Sequence, residues 1–152
     1  MKPSRPGLGI GQPTSMYHDG EMYWYHSDTL GTIYQMTDEN QAVAQSYDYS
    51  AFGTVISESG TIANPFTYTA REYDEGSELY YYRARYYDAT VGRFLSRDPI
   101  LEFLVNKALY EAFKEALNPY GYVRNNPVNL IGPNGHKCQR PCPCGTVCIK
   151  HL

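Results

Sequence analysis

The chain has 152 residues and a formal net charge of −3, which leaves no basic stripe for nucleic acid and no polybasic anchor for a membrane surface. Sixteen Tyr against five Phe and one Trp mean that most aromatic bulk carries a hydroxyl wanting a partner, so a ladder of interlocking hydrogen bonds suits it better than a dry core. The opening MKPSRPGLGIGQPTS is broken by Pro and Gly, has no apolar leader, and is followed by no apolar run of transmembrane length. The expectation is no membrane insertion and a cytoplasmic default, with secretion or cell-surface display if a larger exported machine carries the chain.

In chain order, residues 1–14 read as a flexible lead-in. Met16-Tyr17-His18 and Glu21 to Tyr25 flank Asp19-Gly20, a strong hairpin signal because both turn positions demand positive φ. Leu30-Gly31-Thr32-Ile33 and Phe52-Gly53-Thr54-Val55 then repeat at a spacing of 22 residues, and Tyr25 and Tyr47 keep the same interval. Such a period points to strand units that bury their faces only against neighbours. Thr32–Met36 and Ala42–Tyr49 should pair across Thr37 to Asn40, with Asn40-Gln41 where a glycine is common and Asn40 supplying the left-handed residue. Gly60 and Asn64-Pro65 mark further turns.

Leu79 to Tyr87 is a Tyr-rich run of nine residues without Gly or Pro, read here as one extended strand. Its alternation would put Tyr80, Tyr82, Ala84 and Tyr86 on one face, and Arg93-Phe94-Leu95 should return antiparallel to Tyr82–Tyr86. After Pro99, Leu101, Leu104, Val105, Ala108, Leu109, Ala112 and Ala116 recur at helical spacing, predicting an amphipathic helix over 101–117 ended by Asn118-Pro119. The tail 136–152 holds every cysteine, Cys138, Cys142, Cys144 and Cys148, four thiols in eleven residues. Thiolates so close could bind zinc or copper(I), although the spacing is not that of a zinc finger; disulfides after export and a reduced, unstructured tail are the competing readings. No cofactor is implied. His18, His26, His136 and His151 have no convincing partners in sequence.

The stretch YDEGSELYYYRARYYDATVGRFLSRDP, residues 73–99, resembles the core signature of the Rhs/YD-repeat family, Y-D-x-x-T-G-L-Y-Y-x-R-A-R-Y-Y-D-P-x-x-G-R-F-L-S-x-D-P. The matching positions include Tyr73, Asp74, Tyr80, Tyr82, Arg83, Arg85, Tyr86, Tyr87, Asp88, Gly92, Arg93, Phe94, Asp98 and Pro99. Glu78 takes the place of the family's turn glycine, and Ala89 that of its proline. NPYGYVRNNPVNLIGPNG, Asn118 to Gly135, resembles the family's closing motif, so the resemblance runs from about Tyr25 to Gly135. In the family the interval holding the 101–117 helix is usually a short connection.

The resemblance implies a mainly β fold of antiparallel YD-repeat hairpins forming part of a hollow β shell, over residues 15–99, with residues 100–135 adding the helix and the closing motif. It implies a non-catalytic structural role, the C-terminal core capping a polymorphic-toxin cage before a toxin tip, a domain that seventeen tail residues cannot build. The implied partners are preceding YD repeats or the rest of the shell, with self-association through open strand edges. Some family members cut themselves after the closing motif using acidic residues. Asp98 matches one of them, but Gly132 stands where the second carboxylate belongs and His136 where the closing Leu belongs, so self-cleavage by an aspartyl pair is disfavoured. Asp98 is instead read as capping the turn or helix that follows. A third reading, a carbohydrate-binding surface, rests on Arg83, Arg85 and Arg93 beside Tyr-rich faces; against it, such arginines also make structural contacts with Asp74, Glu75, Glu78 and Asp88.

Overall fold

The computed structural model describes residues 2–6, 11–99 and 118–136. The helix expected over 101–117 and the four cysteines fall outside them. Strands β1 (Lys2–Pro6), β2 (Pro13–His18), β3 (Glu21–Ser27), β4 (Ile33–Thr37), β5 (Val43–Tyr49) and β6 (Val55–Gly60) form a six-stranded sheet in sequence order, every neighbour antiparallel. One face carries Met16 opposite Tyr23 and Tyr25 opposite Met36, closing over a small buried cluster of Met16, Tyr23, Ile33 and Met36. Ile33 and Met36 both point inward because Tyr34 is skipped in the pairing, as His26 faces Gln35 and Ser27 faces Ile33. The bulge leaves Tyr34 exposed.

Turn chemistry repeats along this sheet. Asp19 (φ 49) and Gly20 (φ 94) make the expected hairpin turn. The turns led by Asp28, Asp38 and Ser50 share one set of bonds: the Gly31, Gln41 and Gly53 N–H groups donate to the carbonyls of Asp28, Asp38 and Ser50, each at 3.0 Å. The same three leading side chains accept from the Thr32 (2.8 Å), Ala42 (2.8 Å) and Thr54 (3.0 Å) amides. Each turn needs one left-handed residue, and in the second it is Gln41 (φ 64), not Asn40.

The second sheet has four strands in the order β10-β9-β8-β7, with β7 at Glu72–Asp74, β8 at Leu79–Tyr81, β9 at Tyr86–Asp88 and β10 at Arg93–Phe94. The nine-residue strand expected over Leu79–Tyr87 is therefore a hairpin. Tyr82 N–H donates to Arg85 O (2.9 Å) and Ala84 N–H to Tyr82 O (2.8 Å) around a left-handed Arg83 (φ 67). Burial explains the bend: straight alternation would split Tyr80 and Tyr82 from Tyr87, whereas the hairpin buries all three together. Phe94 pairs with Tyr87 and Arg93 with Asp88, so the returning strand is antiparallel as expected but sits farther along than Tyr82–Tyr86. Two equivalent turns close this sheet, led by Asp74 and Asp88, whose carboxylates accept from the Gly76 (3.2 Å) and Thr90 (2.8 Å) amides. Their left-handed residues are Glu78 (φ 59) and Gly92 (φ 68).

The main core lies against the second sheet and is almost wholly aromatic: Tyr68, Tyr80, Tyr82, Tyr87, Phe94 and Tyr122, with Ala89 and Val123. Tyr87 and Tyr122 rings meet at 4.5 Å between centroids. Tyr68 and Tyr122 enter on two left-handed turns, at Thr69-Ala70 and Val123-Arg124-Asn125. Each such residue costs about 1–2 kcal/mol, a strain that burial of the attached rings offsets.

Candidate functional site

Two constructions use the signature residues: a junction between the sheets and a clasp on the closing motif. At the junction, the turn Ala51-Phe52-Gly53 projects from the first sheet into the aromatic core. Tyr68 Oη donates to Ala51 O (2.9 Å), Tyr87 Oη to Phe52 O (2.7 Å) and Tyr80 Oη to Gly53 O (2.8 Å). Three hydroxyls thus satisfy three consecutive carbonyls of a turn whose last residue, Gly53, is buried. Gly53 is required there, because a Cβ would drive into the Tyr68 ring. The equivalent turn at Gly31 docks beside it, with Ile33 N–H donating to Thr67 O (3.0 Å) and Thr69 N–H to Thr32 Oγ1 (3.2 Å). Deeper in, Tyr82 Oη lies 2.7 Å from Thr69 Oγ1 and 3.0 Å from Tyr122 Oη. Burial pushes the Tyr68, Tyr82, Tyr87 and Tyr122 hydroxyls well above the ordinary tyrosine range.

The clasp is built on Arg85, which the hairpin turns inward while its neighbour Arg83 stays outside. The Arg85 guanidinium lies 3.6 Å from the Phe94 ring centre and donates through Nε to Gly135 O, through Nη1 to Pro119 O (2.9 Å) and through Nη2 to Asp98 Oδ2 (3.2 Å). Burial lowers its pKa, and Asp98 works against that shift. Asp98 also contacts His136 Nδ1 through Oδ1 at 3.1 Å, and its own amide donates to Pro119 O at 3.0 Å. One guanidinium therefore ties both ends of the 99–118 interval and the end of the closing motif to the second sheet.

Of the other signature residues, Tyr73 packs on Tyr80 at 4.8 Å between centroids, while Tyr86 stacks on Tyr81 at 5.2 Å on the outer face. Asp74, Asp88 and Gly92 serve turns, and Arg93 is exposed beside Asp88. Arg83, Arg85 and Arg93 do not form one platform. His136, for which the sequence offered no partner, sits on Asp98. Tyr68 and Tyr122 were not singled out by sequence; of the Ala51–Gly53 turn, Phe52 and Gly53 were, but only as part of the 22-residue repeat. Gly132, where the resemblance puts a second carboxylate, carries no side chain. Among the described residues there is no group of three metal-ligating side chains and no helix long and apolar enough to cross a membrane.

The fold is two antiparallel meanders, the second of which caps a turn of the first with its tyrosine hydroxyls, as in a wall built of successive hairpins. The teneurin YD-shell family model matches residues 11–128, and the chain belongs to this YD-repeat family. It is 34% identical over 129 residues to the tRNA nuclease WapA of Bacillus subtilis, covering 83% of this chain and 5% of that protein. Toxin subunit YenC1 of Yersinia entomophaga is 30% identical, over 83% of this chain and 12% of its own length. The crystal structure of TcdB2-TccC3 superposes with a TM-score of 0.65 at 26% identity, over 78% of this chain and 5% of that one. The chain thus corresponds to a small fraction of these relatives.

Proposed function

We propose that the chain is a non-catalytic wall segment of a toxin-delivery shell, the C-terminal core that caps the cage ahead of a toxin tip. The observation that carries this reading is the clasp: Arg85 spends its hydrogen bonds on backbone carbonyls and on Asp98, closing the end of the fold instead of activating a bond. Self-cleavage by an aspartyl pair needs two carboxyls, one kept protonated by the other. Here Asp98 is engaged by Arg85 and His136, and Gly132 supplies no acid. The partners are neighbouring YD repeats, reached through strand edges such as β6, which has β5 as its only sheet neighbour among the described residues. Export of the whole shell would place the chain outside the cell.

The test is a chimera in which residues 11–136 replace the matching stretch of the TccC3 shell, followed by electron microscopy and intact-mass measurement. A closed shell of unchanged outline with an unbroken chain is expected. Shells open at this segment, or a peptide break after Gly135, would refute the reading. A Cβ at Gly132 meets only ordinary contacts, Tyr122 Cε2 at 3.6 Å and Val123 Cγ1 at 3.8 Å, so Gly132→Asp starts from an unclashed Cβ and shows whether the missing acid alone separates this chain from a self-cutting one.

A further inference from the structure

The closing motif carries a reactive pair of residues that its structural role leaves idle. Asn134 is followed by Gly135, whereas every other asparagine in the chain precedes proline or a residue with a larger side chain. An asparagine carboxamide is open to attack by the main-chain nitrogen of the next residue, and glycine, having no Cβ, obstructs that approach least. Proline, with no N–H, offers no such nucleophile. Here the glycine is not replaceable. Gly135 is buried with φ at +68°, and a Cβ on it would stand 2.6 Å from Tyr82 O and 3.3 Å from Arg85 N. The fold therefore keeps an Asn-Gly pair at this point of the chain.

The surroundings treat the two reacting groups differently. Asn134 is exposed, and its Oδ1 accepts from Arg83 Nη1 at 3.0 Å. A guanidinium only donates, so the side-chain oxygen, not its amide nitrogen, faces Arg83. A cation on that oxygen draws electrons from the carboxamide carbon and stabilises the negative charge that gathers on the oxygen during attack. The nucleophile is restrained instead. Gly135 N–H donates to Gly132 O (3.0 Å), and the Gly135 carbonyl accepts from Arg85 Nε. Attack thus waits on local opening of the 132–135 turn.

We propose that Asn134 is a self-modification site, converted slowly to aspartate and isoaspartate with Arg83 polarising its carboxamide. The Gly135 nitrogen bonds to Asn134 Cγ and gives up its proton to solvent. The Cγ–Nδ2 bond breaks and ammonia leaves, which closes a five-membered imide. Water then adds to one imide carbonyl or the other, so the main chain stays continuous. Addition at the main-chain carbonyl leaves isoaspartate, which puts one more carbon into the main chain directly ahead of Gly135. The clasp grips the Gly135 carbonyl through Arg85, so this product alters the spacing on which the clasp is built. Either product places a carboxylate beside Arg83. The chemistry is independent of the shell role: a wall segment in which Asn134 persisted would remain a wall segment.

Incubation of the full chain in mildly alkaline buffer, below the tyrosine range, with peptide mapping by mass spectrometry tests it. The mass gain of one deamidation is expected at Asn134 before any other asparagine, with isoaspartate among the products. Arg83→Gln should slow this conversion about three- to fivefold in the folded chain, the effect of one exposed charged contact. In urea, where the fold no longer brings the two residues together, the same variant should convert at the parent's rate. Its melting temperature should be unchanged, since the one described hydrogen bond of the Arg83 side chain is to the exposed Asn134. Another asparagine converting first, or no product at Asn134 in the folded chain once the urea-unfolded chain has converted completely, would overturn the site. A folded Arg83→Gln chain converting as fast as the parent, or slowed equally in urea, would overturn the part given to Arg83.

Discussion

The two ends of the six-stranded sheet share a turn type, at Asp38 on one side and at Asp28 and Ser50 on the other, and are treated differently by the rest of the molecule. At one end the Asp28 and Ser50 turns, with Gly31 and Gly53 as their left-handed residues, press into the tyrosine core. At the other end the Asp19-Gly20 turn and the Asp38 turn with Gln41 stand in solvent. Local bonds are nearly identical in the three five-residue turns, so turn chemistry sets their shape and docking sets their worth. The free end tolerates Gln at a left-handed position; at Gly53 the packing would not.

The largest way to separate the two ends is alkali. The hydroxyls that hold the docked end have pKa values raised by burial, so the folded state keeps these protons more tightly than the unfolded chain does. That stability is fully present below the unfolded tyrosine value of about 10 and is lost as pH rises beyond it. Tyrosinate absorbance from the cluster should appear together with loss of sheet circular dichroism; tyrosinate gained by these rings in an intact fold would contradict the docking picture.

Alanine at the two equally left-handed glycines should then divide the ends directly. Gly53→Ala meets the Tyr68 ring and a φ of +94°, and is expected to cost about 3 kcal/mol or more in urea unfolding. Gly20→Ala has the same φ but nothing within 4 Å, so about 1 kcal/mol is expected from the backbone alone. Equal costs would show that the junction contributes nothing.

A smaller probe is Tyr87→Phe, which keeps the ring and removes the 2.7 Å bond to Phe52 O. Stranding that carbonyl should cost about 1–2 kcal/mol. Smallest, and opposite in sign, are Gln41→Gly and Glu78→Gly: relieving a left-handed side chain in a solvent-facing turn should raise stability by about 0.5–1 kcal/mol each. A fall in melting temperature for either would mean that the side chain makes an interaction outweighing its strain.

What was legible in the chain follows the same division. Asp19-Gly20 announced its hairpin because two positive φ values have few takers. The 22-residue interval reads as repeating strand units, and its glycines prove to lie in two turns that share most of their bonds. Leu79–Tyr87 misled, because its turn at Arg83 contains neither Gly nor Pro and is imposed by the burial of Tyr80, Tyr82 and Tyr87 around it. Thr69 and Val123 in left-handed conformation run against β-branched preference and could not be read locally. Nor could the opposite fates of Arg83 and Arg85, two residues apart, since side-chain direction changed with the hairpin. Glu78 was placed at a turn glycine's position by resemblance, and its φ of 59° agrees.

The tyrosines of the junction grip carbonyl oxygens, and every amino acid offers the same carbonyl. The hairpin that docks there is thus held largely by the path of its main chain and by one missing side chain, at Gly53, with Phe52 packing on the core and Thr54 Oγ1 donating to Ala89 O (3.1 Å) on either side. A contact made mostly through carbonyls asks for a loop of one shape more than for one sequence, so most of its specificity lies in geometry.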